Sequence, residues 1–195
     1  MTDQAIAAPS TPSRNSYDSL TIILHWLTAV LVVSLLLSIE LRGFLVQGTW
    51  IRSEMQPLHV SLGILLLPTI LVRIFWRLSR ENLSHATNGL LNIAARVIHL
   101  GLYGLLIAQV GLGFAVIWAR DTAFTLFGLF PIPRLFDINP AWRSTLRDLH
   151  GTVAWVIIGI AGIHALAALF HHFVLRDEVL ARMLPAIGRF DDKGM

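Results

Sequence analysis

Four histidines, His25, His59, His150 and His164, stand within or at the edges of long apolar runs. A neutral imidazole offers one nitrogen lone pair to a metal and one N–H to a hydrogen-bond partner, and it titrates near neutral pH. His150 and His164 are fourteen residues apart in one run, which on a helix rises about 21 Å and returns to nearly the same face. Two imidazoles are thereby set at two depths of one layer, pointing the same way. An ionisable group inside a membrane span is costly without a partner and is by default a functional one. Iron held between facing imidazoles would supply that partner.

The surrounding composition requires a bilayer. Hydrophobic residues make up 55% of the 195 and charged residues 14%, with a mean hydropathy of +0.67, too apolar for a soluble domain of this length. With no cysteine, disulfides, thiolate haem ligation, cysteine-held iron–sulfur clusters and thiol catalysis are excluded, so any metal sits on nitrogen or oxygen. The formal charge of +3 rests almost wholly on arginine. Those arginines flank the apolar runs instead of forming a basic stripe, which speaks for membrane topology and against nucleic-acid binding.

A hydrocarbon core of about 30 Å takes about 20 apolar helical residues, and four stretches qualify: Leu20 to Leu41, Leu58 to Trp76, Val97 to Trp118 and Gly151 to Val174. The expected fold is an all-α integral membrane four-helix bundle over residues 19–185. A mobile polar tail is expected over 1–18 and a second polar tail over 186–195. The first span is read as a retained anchor, since Ser38-Ile39-Glu40 after it resembles no cleavage site. Pro68 is expected to kink the second span.

Four spans place both termini on one side. Arg14, Arg73, Arg77, Arg80, Arg96, Arg176, Arg182, Arg189 and Lys193 fall on that side, against Arg42, Arg52, Arg120, Arg134, Arg143 and Arg147 on the other. The excess makes the termini cytoplasmic, and a bacterial inner membrane is the expected location. Two readings of the opposite arginines stay open: interfacial anchoring by snorkelling, or a positive field that draws in an anion, with Arg42, Arg120 and Arg147 the chosen residues. The longest connection, residues 119–149, carries Phe124, Leu126, Phe127, Leu129, Phe130 and Trp142 and is expected to lie as a lid at the interface.

Depth along these spans pairs the histidines. His25, just inside the first span, matches His164 near the terminal side, and His59 matches His150 at the opposite boundary. Two imidazoles facing across a bundle are what a six-coordinate b-type haem requires. His99 lies near the terminal side too and rivals His25, although a contact beside the ligands or with a quinone suits it better. His171, seven residues after His164, keeps nearly the same face one step further out and is a candidate to hydrogen-bond and protonate a quinone carbonyl. Snorkelling beside His172 is its plain alternative, and His172, turned about 100° away, is the poorer candidate. His85 reads as an ordinary polar-loop residue. Gly63, Gly101, Gly104, Gly111 and Gly113 leave room for a flat cofactor or serve close helix packing equally well.

Ile23-Leu24-His25-Trp26-Leu27, Glu40-Leu41-Arg42-Gly43-Phe44, His59-Val60-Ser61-Leu62-Gly63-Ile64, Leu149-His150-Gly151 and Gly162-Ile163-His164 resemble the bacterial cytochrome b561 family of four-helix, quinone-linked membrane proteins. The resemblance covers roughly Tyr17 to Pro185. It implies two haem b groups with His25, His59, His150 and His164 as axial ligands. The tail His171-His172-Phe173 with Arg182-Met183-Leu184-Pro185 is most similar to the superoxide-oxidising branch of the family. That implies passage of electrons from superoxide at the outer face through the haems to ubiquinone. An electron-relay subunit serving a partner dehydrogenase or hydrogenase is the competing expectation.

Overall fold

The computed structural model describes residues 17–80, 90–120, 124–176 and 180–184. Four helices carry the fold: α1 (Ser19–Phe44), α2 (Trp50–Arg80), α3 (Leu90–Trp118) and α4 (Arg143–Phe170). Each is long and apolar enough to cross a membrane. His85 and nearly all of the two expected tails lie outside the described residues.

Several helix ends have a local cause. Asp18 caps α1, its carboxylate accepting from Thr21 N at 3.2 Å and Thr21 Oγ1 at 2.7 Å. The same carboxylate accepts from Trp76 Nε1 at 2.8 Å, tying the start of α1 to the far end of α2. The α1–α2 turn turns back through Gly48 at φ +85°. Arg52 closes it by donating Nη1 to the carbonyls of Arg42 at 2.8 Å and Leu45 at 2.5 Å. After α4 the chain widens into a π-helical turn, His171–Leu175, which ends where Arg176 turns left-handed at φ 53°.

The helices overrun the spans read from sequence. α2 starts at Trp50 instead of Leu58, and α4 starts at Arg143 instead of Gly151. The apolar run measures only the hydrocarbon layer, while the backbone hydrogen-bond ladder continues into the interface. His59 and His150 therefore lie about 13 Å and about 10 Å along their helices, not at their openings. α2 runs on through Pro57 and Pro68 as one helix.

Packing is by pairs. α1 lies along α2, α3 along α4, and α2 touches α3 more lightly; among the described residues α4 has no comparable run against α1 or α2. The buried core is a mid-depth layer of Leu31, Leu66, Ile70, Leu106, Val110 and Ile157. Ile157 lies seven residues from both His150 and His164, so this apolar layer separates the two levels of histidine. Most other large apolar side chains of the helices point outward, as lipid-facing residues do.

The expected lid contains a small hairpin, β1 (Thr125–Leu126) against β2 (Phe130–Pro131), antiparallel. It returns onto α2, where Phe127 N donates to Ser61 Oγ at 2.8 Å. Ser61 is fully buried and lies two residues beyond His59. The lid thus reaches the level of His59 on α2. Its backbone is closed internally by Leu129 N to Leu126 O at 2.9 Å and Ile132 N to Phe124 O at 2.8 Å, as irregular backbone at that depth requires.

Candidate functional site

Two sets of histidines form, one toward the α1–α2 and α3–α4 turns, the loop end, and one toward the chain termini, the terminal end. At the loop end, the His59 and His150 ring centroids are 6.2 Å apart. At the terminal end, His25 and His164 are 6.5 Å apart. Two metal–imidazole bonds of about 2 Å on opposite sides of one iron, each continued to the middle of its ring, put the centroids about 6 Å apart. Both pairs fit that spacing. Both also bridge to α4 from α1 or α2, across the gaps where helix backbones do not pack.

His99 joins the terminal end, its ring 5.3 Å from His164. It comes from α3, which packs directly along α4, so less room remains between that pair for a flat macrocycle. The geometry favours His25 as the partner of His164 and leaves His99 beside them.

The loop-end rings are held by neutral partners. His59 Nδ1 lies 3.0 Å from the Leu35 carbonyl and 3.1 Å from Ser38 Oγ, whose own hydroxyl donates to Leu35 O at 2.7 Å. The carbonyl can only accept, so Nδ1 carries the ring proton and Nε2 keeps the lone pair a metal needs. His150 Nε2 accepts from Gln109 Nε2 at 3.2 Å, and the same amide donates to the His150 carbonyl at 3.0 Å. That lone pair is again on Nε2. A Cβ at Gly113 would sit 3.4 Å from His150 Cε1, so this glycine gives the ring its place. Gly101, Gly104 and Gly111 face open space, and Gly63 meets only Leu35, at 3.9 Å.

The terminal end is cationic. Arg73 Nη2 donates to His25 Nδ1 at 2.8 Å, and its guanidinium lies 5.3 Å from the Tyr103 ring centroid, with Arg77 6.0 Å from the same ring. Trp26, the neighbour of His25, donates Nε1 to the Met183 carbonyl at 2.9 Å and draws the 180–184 turn over this end. His171 begins the π turn and is half-buried, while His172 is the more buried of the two at 6% exposure.

At the loop-end rim, Arg42, Arg120 and Arg147 are brought into one electrostatic neighbourhood, and Arg143 joins them. Burial first, then Arg143, Arg42 and Arg147, holds the Arg120 guanidinium below its ordinary value. Gln56, its amide turned to accept, takes Arg120 Nη1 at 2.5 Å and Nη2 at 3.1 Å. The Nε groups of Arg42 and Arg120 are buried with no hydrogen-bond partner among the described residues. Arg143 stood among the six arginines of this side but outside the chosen three, and Gln56 was not anticipated; Gln56 comes one turn before His59, the only sequence signal it gives.

Residues 16–186 match the family described as prokaryotic cytochrome b561. The chain belongs to this family. Within it, the chain is 34% identical to the probable superoxide oxidase CybB of Yersinia pestis over 88% of its own length and 97% of that protein. It is 30% identical to cytochrome b561 homolog 2 of Escherichia coli K12, over 90% and 93%. Cytochrome b561 homolog 1 of the same strain is 28% identical, over 88% and 98%. As a cytochrome b561, this is a multi-pass membrane oxidoreductase carrying b-type haem.

Proposed function

We propose that the protein is a dihaem superoxide:ubiquinone oxidoreductase of the bacterial inner membrane, with both termini cytoplasmic. The observation that carries the two-haem reading is the pair of centroid separations, 6.2 Å and 6.5 Å, one at each level of α4. His59 and His150 would hold one haem, and His25 and His164 the other. Bound there, the iron supplies one-electron exchange while the protein fixes position and potential.

In the net reaction, two superoxide anions each lose one electron and leave as dioxygen, and one quinone takes both electrons with two protons. The superoxide end therefore needs no acid or base. Arg42, Arg120 and Arg147, with Arg143, concentrate the anion at the loop end, and their convergence on one rim favours a field over independent snorkelling. The apolar layer around Ile157 keeps water, and so protons, from passing between levels. Protons are needed only at the terminal end, where His171 would donate to the quinone, with His99 next in line.

The name of the Yersinia relative supports the superoxide reading. The exposed apolar surface of Leu135, Phe136 and Trp142 beside the rim favours the second reading, a relay subunit docked by a partner dehydrogenase or hydrogenase. Anaerobic mixing of purified protein with superoxide, followed through haem absorbance, separates the two. Rapid reduction, then reoxidation on adding ubiquinone, is the expected result; unreactive haems would favour the relay.

A further inference from the structure

Arg73 stands seven residues inside the terminal end of α2, about 10 Å from it. A guanidinium at such depth needs a counter-charge or strong acceptors. Among the described residues no carboxylate meets it; its partners are Tyr103, through the ring face and a side-chain hydrogen bond, and the Nδ1 of His25. The contact with His25 conflicts with ligation. A neutral imidazole has one lone pair, and while Nδ1 accepts from Arg73 the proton sits on Nε2. For His25 to offer Nε2 to iron, Nδ1 must take the proton and Arg73 must let go. Released from His25, the arginine keeps only the neutral Tyr103 beside it, which cannot balance its charge within an apolar bundle.

Resting on the two-haem reading, we propose that Arg73, with Arg77 behind it across Tyr103, forms the binding subsite for a propionate carboxylate of the terminal-end haem. Arginine suits a carboxylate through two parallel N–H donors. The contact switches Arg73 from ligand to cofactor edge as the haem enters, and it sets the potential of that haem. A cation at the macrocycle edge favours the reduced form, because reduction adds negative charge. The loop-end ligands meet only the neutral partners Leu35, Ser38 and Gln109, so this contact acts on the terminal-end haem alone.

Redox titration of the intact holoprotein in zwitterionic nanodiscs tests this. Arg73→Gln should keep two haems yet lower the reduced-to-oxidised ratio of the terminal-end haem at fixed ambient potential at least tenfold, a shift of about 59 mV for one electron. Arg73→Lys should recover most of it. Redox-difference infrared spectra with isotope-labelled propionate carboxyls should show the carboxylate band move in Arg73→Gln and not in Tyr103→Phe. If Arg73→Gln loses the haem, Arg77→Gln should still lower the ratio, by a smaller factor. Two retained haems with an unmoved potential, an unmoved carboxylate band, or no shift in Arg77→Gln where Arg73→Gln has lost its haem would each overturn the proposal. So would a shift seen only when acidic lipid is present, which would make a lipid phosphate the occupant. Finding fewer than two haems in the unmodified protein would instead defeat the underlying two-haem reading.

Discussion

The two ends of α4 hold histidine pairs of nearly equal spacing in opposite settings. At the loop end the rings are fixed by neutral groups that keep a lone pair on Nε2, open on His59 and shared with the Gln109 amide on His150. At the terminal end an arginine occupies the wrong nitrogen of His25, and a third histidine crowds His164. Equal distances thus conceal unequal readiness. A ligand pair is defined by where its protons sit as much as by how far apart its rings are.

The sharpest way to break this comparison is to delete the ligands. The intact protein should give about two haems per chain by pyridine assay. His59→Ala or His150→Ala should remove the loop-end haem and spare the other, and His25→Ala or His164→Ala should do the reverse. His99→Ala should keep both; losing one there, with His25→Ala retaining two, would reverse the terminal-end pairing.

Gly113 tests the loop end by shape alone. With a Cβ already at 3.4 Å from His150, Gly113→Ala should be tolerated, while Gly113→Leu should displace the ring and empty only that level. Loss of the terminal-end haem instead would mean the two levels are not independent.

A smaller effect is expected at His171. His171→Ala should keep both haems and their reduction by superoxide while slowing reoxidation by ubiquinone about a hundredfold, the lower end of the scale for a lost proton donor. Unaltered quinone turnover would remove it from the site in favour of His99. The smallest effect is the salt response. Superoxide capture should fall several-fold as the Debye length shrinks from about 30 Å at 0.01 M to about 8 Å at 0.15 M, with quinone reduction unaffected. Reversing Arg120 and Arg147 to glutamate should flatten that response without altering the haem spectrum. A capture rate indifferent to salt in the unmodified protein would return these arginines to interfacial anchoring.

The histidines were legible because a fixed helical rise turns residue number into depth, and depth paired His25 with His164 and His59 with His150 before any contact was seen. The four spans were legible for the same reason. Helix ends were not: hydropathy reports the hydrocarbon layer, and Trp50–Pro57 and Arg143–His150 continue past it on hydrogen bonds alone. Arg73 counted simply as one of the basic residues near the terminal side, since nothing in a linear pattern tells a lipid-facing arginine from one turned onto His25. Gln109 gave no signal, being one uncharged polar residue in an apolar run. The hairpin at 125–131 is too short for strand alternation to show, and its anchor Ser61 looked like any small residue in a span.

The pairwise packing of the helices bears on how the protein is put together. α1 with α2 and α3 with α4 are the strongly packed units, and each proposed ligand pair takes one histidine from either unit. Neither half of the chain alone can complete a haem site. Each cofactor would act as a rivet between two helical hairpins that otherwise hold each other only lightly. Two fragments cut within residues 81–89 should therefore co-purify when haem is plentiful and part when its synthesis is blocked.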